Sequence, residues 1–279
     1  MKSNHPILIN SLLLAALSFV SWSCQDNGNS IINRNYELVW EDNFDGPAGE
    51  SPDPAKWTYD VGIGPGNDGW GNNELEYYTS RPQNISLDGA GNLAITARRE
   101  SFGGRSFTSA RINTKDIFEQ AYGRFEARIK MPWGPGIWPA FWMLGANIDE
   151  VAWPQCGEID IMEYRGQEPN LIHGSLHGPG YSGGAAVTKS FGFTNNRFDV
   201  DFHIFAVEWG DGYIDYYVDD TLYQRLRPED VNGEWVYDNP FYIILNVAVG
   251  GNYVGFPTSQ TPFPQTMQVD YVKVYKEVN

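Results

Sequence analysis

Three acids in one short segment carry the strongest chemical signal, Gly157-Glu158-Ile159-Asp160-Ile161-Met162-Glu163-Tyr164. Glu158 and Asp160 are two apart, so on a β-strand they share a face while Ile159 and Ile161 turn into the apolar layer. Glu163 is five positions beyond Glu158. Strict alternation would drive its carboxylate into the core without a partner, at a high cost. One extra residue at Ile161–Met162, a β-bulge, restores the phase and aims Glu163 at the same face. The two glutamates then stand roughly 13 Å apart along the backbone at ~3.3 Å per step, a gap that two long side chains over a bent strand close in large part. Carboxyl pairs ~5–5.5 Å apart perform retaining glycoside hydrolysis and pairs ~6.5–9.5 Å apart perform inverting hydrolysis. The shorter distance is the one predicted here. Repulsion among three neighbouring carboxylates raises at least one pKa, which a general acid requires. The competing reading is the polar face of an exposed edge strand. No Lys or Arg alternates with the acids, and the odd spacing demands a bulge, so that reading is the weaker one.

The rest of the chain reads as the strands that would position such a cluster. Arg124, Glu126, Arg128 and Lys130 alternate with Phe125, Ala127, Ile129 and Met131, the period of a half-buried strand. Residues 92–97, 202–209, 213–218, 242–249 and 267–275 also read as strands, and Val218-Asp219-Asp220-Thr221 as a hairpin turn. Helix signals are almost absent. Many strands with Gly- and Pro-rich connections predict one antiparallel β-sandwich of the size left after the leader.

Charge narrows the partners. With 35 acidic against 19 basic residues the net charge is -16, which argues against nucleic acid, because phosphate contacts need Lys and Arg. Aromatic residues make up 15% of the chain, which argues against disorder. At the N-terminus Lys2 precedes a mostly apolar stretch over residues 7–20, too short for a confident span and of signal-peptide form. Residues 1–23 are the expected leader. Ser23-Cys24 resembles the cleavage and lipidation point of bacterial lipoproteins, with Trp22 an imperfect fit and plain cleavage the alternative. Residues 24–33 form a polar tether, and residues 34–279 the expected domain. The expectation is an exported chain, at the cell surface or in the periplasm if Cys24 is lipidated and secreted if it is not. The only other cysteine is Cys156, so lipidation leaves no intrachain disulfide.

The Glu-Ile-Asp-Ile-Met-Glu segment resembles the active-site motif of glycoside hydrolase family 16 in the bulged form of laminarinases. The resemblance extends over residues 36–276, through Val39-Trp40-Glu41-Asp42-Asn43-Phe44, Asn73-Glu74-Leu75-Glu76-Tyr77-Tyr78-Thr79, the Trp-Pro-Ala-Phe-Trp segment from Trp138, His173-Gly174-Ser175-Leu176-His177-Gly178 and the strand around Asp270. It implies an all-β, concanavalin A-like jelly-roll sandwich of two antiparallel sheets with a concave substrate cleft. It implies retaining, endo-acting cleavage of β-1,3-glucan, with Glu158 as nucleophile, Glu163 as acid/base and Asp160 orienting Glu158. Trp138 and Trp142 are four apart and share a face on one strand, where flat indoles suit the apolar faces of sugars. Arg111 and His177 match cleft positions, with Asn72 and Trp153 as further expected sugar contacts. Trp40, Trp57 and Trp209 are expected in the core. No cofactor is implied for catalysis. A structural calcium is implied at Glu41, the Gly91 carbonyl and Asp270, since carboxylate and carbonyl oxygens suit that ion. The expected partner is β-glucan, with a monomeric chain and membrane contact only through the lipid.

Other readings stand beside this one. Gly180-Tyr181-Ser182-Gly183-Gly184 fits the nucleophile-elbow spacing of serine hydrolases, but that elbow needs a strand before it and a helix after it. It reads instead as a glycine-rich loop bordering the cleft. Tyr253 stands where laminarinases often carry Trp, which leaves mixed-linkage β-1,3-1,4-glucan or another family polysaccharide as alternative substrates. A non-catalytic glycan-binding lipoprotein on the same fold is the alternative of a different class.

Overall fold

The computed structural model describes residues 34–278. The expected leader, the tether and Cys24 lie outside the described residues. The described part falls within one compact unit, Ile31–Asn279.

Seventeen strands run through the described residues: β1 Asn35–Asp42, β2 Thr58–Asp60, β3 Glu76–Tyr78, β4 Ile85–Leu87, β5 Leu93–Phe102 and β6 Arg105–Ser109. They continue as β7 Arg111–Asn113, β8 Gly123–Lys130, β9 Ile137–Gly145, β10 Glu158–Glu163, β11 Leu171–His177 and β12 Val187–Gly192. The last five are β13 His203–Gly210, β14 Tyr213–Val218, β15 Thr221–Leu226, β16 Phe241–Val249 and β17 Gln265–Val278. Helical structure is confined to short turns, as the lack of helix periodicity predicts. One sheet has seven strands in the order β12-β11-β10-β9-β16-β7-β2. The other has ten, in the order β15-β14-β13-β8-β17-β5-β6-β3, with β1 also on β17 and β4 on β5. All pairs are antiparallel except β3 with β6, a departure from the purely antiparallel sheets expected. The architecture is the jelly-roll sandwich.

Alternation puts the core between the sheets. Phe125, Ala127 and Ile129 of β8 meet Phe141 and Met143 of β9, Ile159 and Ile161 of β10, and Ile243, Leu245 and Val247 of β16, all buried. Each of these side chains except that of Ala127 contributes about 1.5–3 kcal/mol by leaving water. Trp57 and Trp209 are buried in this layer and Trp40 packs against it, as expected. The β14–β15 hairpin turns at Asp219 and Asp220, with Asp219 in the left-handed region at φ 52°. Every residue of β16 is buried, because the outward side of the seven-stranded sheet is itself covered at that point. Trp142, Leu144, Tyr242 and Ile244 form a small apolar patch there with Cys156.

Candidate active site

The bulge lies where the spacing of the acids requires it. Against β11, Asp160 pairs with Ser175 and Glu163 with His173, so two residues, Ile161 and Met162, oppose the single Gly174. Against β9, Asp160 pairs with Trp142 and Met162 with Phe141, so the extra residue is Ile161. Ile161 and Met162 are both taken into the core. Glu158, Asp160 and Glu163 consequently share the outward face of a central strand, flanked by His177, Ser175 and His173 on β11 and by Trp142 and Ala140 on β9.

Each carboxylate has its own setting. Glu158 accepts the Trp153 indole N–H on Oε2 at 2.8 Å. His177 Nε2 stands 3.0 Å from Asp160 Oδ2 and 3.8 Å from Glu158 Oε1, bridging the two acids. Glu163 Oε2 accepts from Ser175 Oγ at 3.4 Å, and that hydroxyl is 2.9 Å from Thr188 Oγ1. Burial, then the charge of Asp160, pushes Glu158 up to about 8. The same two causes in the same order hold Glu163 well above the usual carboxylate range, with His177 and Trp138 pulling the other way. Glu163, 8% exposed, is thus set to keep a proton, whereas Glu158 has a donor aimed at its anion.

His177 is pulled in two directions. Burial lowers its pKa, but Asp160, Glu158 and Glu163 outweigh burial and raise it to about 10. Gly183 N–H nevertheless donates to Nδ1 at 3.0 Å, which needs a lone pair on that nitrogen. The neutral tautomer with its proton on Nε2, facing Asp160, satisfies both contacts. The glycine-rich loop thus borders the acids, as expected, and orients the imidazole.

Trp138 and Trp142 share the outward face, opposite Ala248 and Ile244 of β16. Trp142 donates its N–H to Asn246 Oδ1 at 2.8 Å. Arg111 is clamped between Trp142 and Trp70, its guanidinium 4.8 and 4.5 Å from the two rings, and pairs with Asp60 at 2.8 Å. Asn72 donates to Glu74. Trp138 packs against Tyr253 with ring centres 5.0 Å apart and planes tilted by 39°, and the Arg165 guanidinium lies over the Tyr253 ring at 4.1 Å.

Several residues of this face escaped the sequence reading. Trp70 sits in a one-turn π-type loop, Gly69–Asn73, with φ 56°, and its flanking glycines were the only local sign. Asn246 did leave a signal, as the one polar residue in an otherwise apolar strand. Ser175 carried none.

The expected calcium positions look different from the acids of the site. Asp270 pairs with Arg128 at 2.5 Å, and Glu41 lies 3.9 Å from Lys273. Each of the two carboxylates thus has a cation beside it. A recess of about 430 Å³ gathers Asp42, Asp45, Glu50 and Asp53, but Asp42 is already engaged by Trp57 Nε1 and Lys56 Nζ. Among the described residues, Glu158, Asp160 and His177 are the group of three whose ligand atoms all lie within 4.8 Å of one another.

Known proteins share this fold. Residues 72–273 match the model of glycosyl hydrolases family 16. A β-glucanase of Rhodothermus marinus is 41% identical over 254 residues, covering 88% of this chain and 86% of that protein. The laminarinase catalytic domain from Thermotoga maritima superposes with a TM-score of 0.83 at 46% identity, over 88% of this chain and all (100%) of that one. The endo-β-1,3-glucanase from Pyrococcus furiosus gives a TM-score of 0.83 at 45% identity, over 88% and 96% of the two chains. A bulged strand with three acids on one face, in a sandwich shared with these enzymes, places the chain in glycosyl hydrolases family 16.

Proposed function

We propose that the protein hydrolyses internal β-1,3-glucosidic bonds of laminarin-type β-glucan by two displacements with net retention. The observation that carries this is the shared face of Glu158, Asp160 and Glu163, on which Glu158 has an N–H donor and Glu163 is set to hold a proton. In the first step Glu158 attacks the anomeric carbon, the bond to the glycosidic oxygen breaks, and the Glu163 proton goes to that oxygen. In the second, Glu163 takes a proton from water, and the water oxygen displaces Glu158 from the anomeric carbon. Asp160, held by His177 at 3.0 Å, lies on the same face as both glutamates and orients Glu158. Side chains supply the nucleophile and the proton, so the scheme asks for no cofactor. Trp142, Trp138, Arg111 and Asn72 supply the sugar contacts in this reading.

Incubation of the pure protein with laminarin should release new reducing ends, and NMR of the first product should show the β-anomer. Glu158→Ser should abolish turnover and retain binding. No reducing ends with the wild type would leave the glycan-binding reading standing instead. Parallel digestion of laminarin, curdlan, barley glucan and agarose decides among the polysaccharides, where Tyr253 against Trp138 is the feature that favours a mixed-linkage alternative.

Export and anchoring belong to the same proposal. The leader, Cys24 and a monomeric chain make this an exported lipoprotein that meets its polymer outside the cytoplasm. Radiolabelled palmitate incorporated by the wild type and lost in Cys24→Ala would support it. A structural calcium at Glu41, Gly91 and Asp270 would show as a melting temperature raised by calcium and lowered by EGTA.

A further inference from the structure

Linked to the face of the catalytic acids through Trp142 lies a second carboxyl pair that the scheme above does not use. Glu74 and Glu76 are 4% and 0% exposed. A Cβ built on Gly251 would stand 3.1 Å from the Asn72 carbonyl oxygen, 3.5 Å from the Trp138 ring and 3.6 Å from Glu74 Cγ. Glu74 therefore backs the wall formed by two of the expected sugar contacts.

The direction of the hydrogen bonds around it is fixed from one end. An indole N–H only donates. Trp142 gives its hydrogen to Asn246 Oδ1, which turns Asn246 Nδ2 toward Tyr78, where it donates to the hydroxyl at 3.1 Å. The Tyr78 hydroxyl in turn donates to Glu74 Oε2 at 3.1 Å, and Asn72 Nδ2 donates to Glu74 Oε1 at 3.2 Å. Donors reach both oxygens of Glu74, so it is the anion of the pair. Glu76 accepts Val249 N–H on Oε2 at 2.7 Å, its Oε1 is buried, and burial followed by the charge of Glu74 holds its pKa well above the usual carboxylate range. A buried carboxyl oxygen facing a carboxylate carries the proton.

We propose that Glu74 is a positioning residue for glucan recognition. As the common acceptor it turns the Asn72 amide so that the carbonyl oxygen faces the open side as an acceptor for a sugar hydroxyl. Through Tyr78 and Asn246 it also fixes the plane of the Trp142 indole. The proposal rests on β-glucan being the substrate.

The chain of donors makes the two glutamates unequal, and that inequality is the test. In Glu74→Gln one acceptor oxygen becomes a donor, so the Asn72 amide turns over and presents N–H to the sugar. KM for laminarin is expected to rise roughly tenfold, with kcat within about threefold and the melting temperature close to wild type. In Glu76→Gln the amide N–H replaces the carboxyl O–H as donor to Glu74, and KM is expected within about twofold of wild type. The double change Glu74→Gln with Asn72→Asp restores an outward oxygen, and KM should recover most of the loss. An unchanged KM in Glu74→Gln, equal rises in both single variants, or no recovery in the double variant would overturn the proposal. If Glu74→Gln does not fold, Asn72→Asp alone carries the test. It sets two carboxylates face to face and must raise KM. Retardation in laminarin-containing native gels reads the same order of variants without turnover, so failure of the enzyme reading and failure of this proposal are told apart.

Discussion

Trp153→Phe isolates the donor on Glu158, the proposed nucleophile. The indole N–H lies 2.8 Å from Glu158 Oε2, and the ring sits 6.1 Å from the His177 ring. Phe keeps a ring beside His177 and removes only the donor. A hydrogen bond to a charged acceptor contributes about 1.5–3 kcal/mol. Trp153 is 44% exposed, so water replaces part of the lost bond. About half of that energy survives, which is roughly 0.5–1 pKa unit at about 1.4 kcal/mol per unit. The sign follows from which form the donor favours. The N–H stabilises the Glu158 anion and lowers its pKa, so removing it raises a value already pushed up to about 8. The ascending limb of kcat/KM against pH reports ionisation of Glu158 in the free enzyme and should move up by that amount, a loss of about three- to tenfold below the limb. Above the limb the rate should change little. The measurement is a pH profile on a soluble laminari-oligosaccharide, with the melting temperature as control. A limb that stays put or moves down in a folded variant would refute the assignment of Glu158 as the group that must ionise.

Other outcomes follow from the same geometry. Glu158 has a folded pKa raised above its unfolded value, so its contribution to stability is full below about 4.5 and is lost as pH rises toward about 8. Glu158→Gln should therefore melt with the wild type at pH 4 and several degrees above it at pH 8, at about 2–4 °C per kcal/mol. Arg111→Met keeps the stem between Trp70 and Trp142 but loses two cation–π contacts and the Asp60 pair. It should raise KM about tenfold in steady-state assays and lower the melting temperature by a few degrees, each contact contributing about 0.5–2 kcal/mol. Gly145→Ala would put a Cβ 1.9 Å from the Cys156 carbonyl oxygen, at an ordinary φ of -59°. The segment bearing Trp153 must shift, so kcat/KM should fall at least tenfold while far-UV circular dichroism still reports a β-sandwich.

What could be read from the chain depended on how far each signal travels. Phe125, Ala127 and Ile129 announced their strand because period two needs only neighbours. Glu158, Asp160 and Glu163 were legible because the breach of that period is itself local and forces a bulge. Trp138 and Trp142 followed from sharing one strand. The clamp on Arg111 was not legible, since Trp70, Asp60 and Trp142 come from three separate segments and Trp70 needs a left-handed backbone. Glu74 and Glu76 plainly share a side of their segment. Nothing in the string shows that this side is buried, or that Tyr78 and Asn246 link it to Trp142.

The bulge at Ile161 also changes what kind of edit the strand tolerates. Removing one residue from a central buried strand ordinarily turns every later side chain inside out. At this point the removal of Ile161 or Met162 would leave Glu163 four positions from Glu158, in phase with it on an unbroken ladder. The harshest deletion elsewhere in the sheet is here an exchange between two backbones that both present the acids outward. The spacing between Glu158 and Glu163 is thus a length that insertion and deletion can adjust, independently of the side chains themselves.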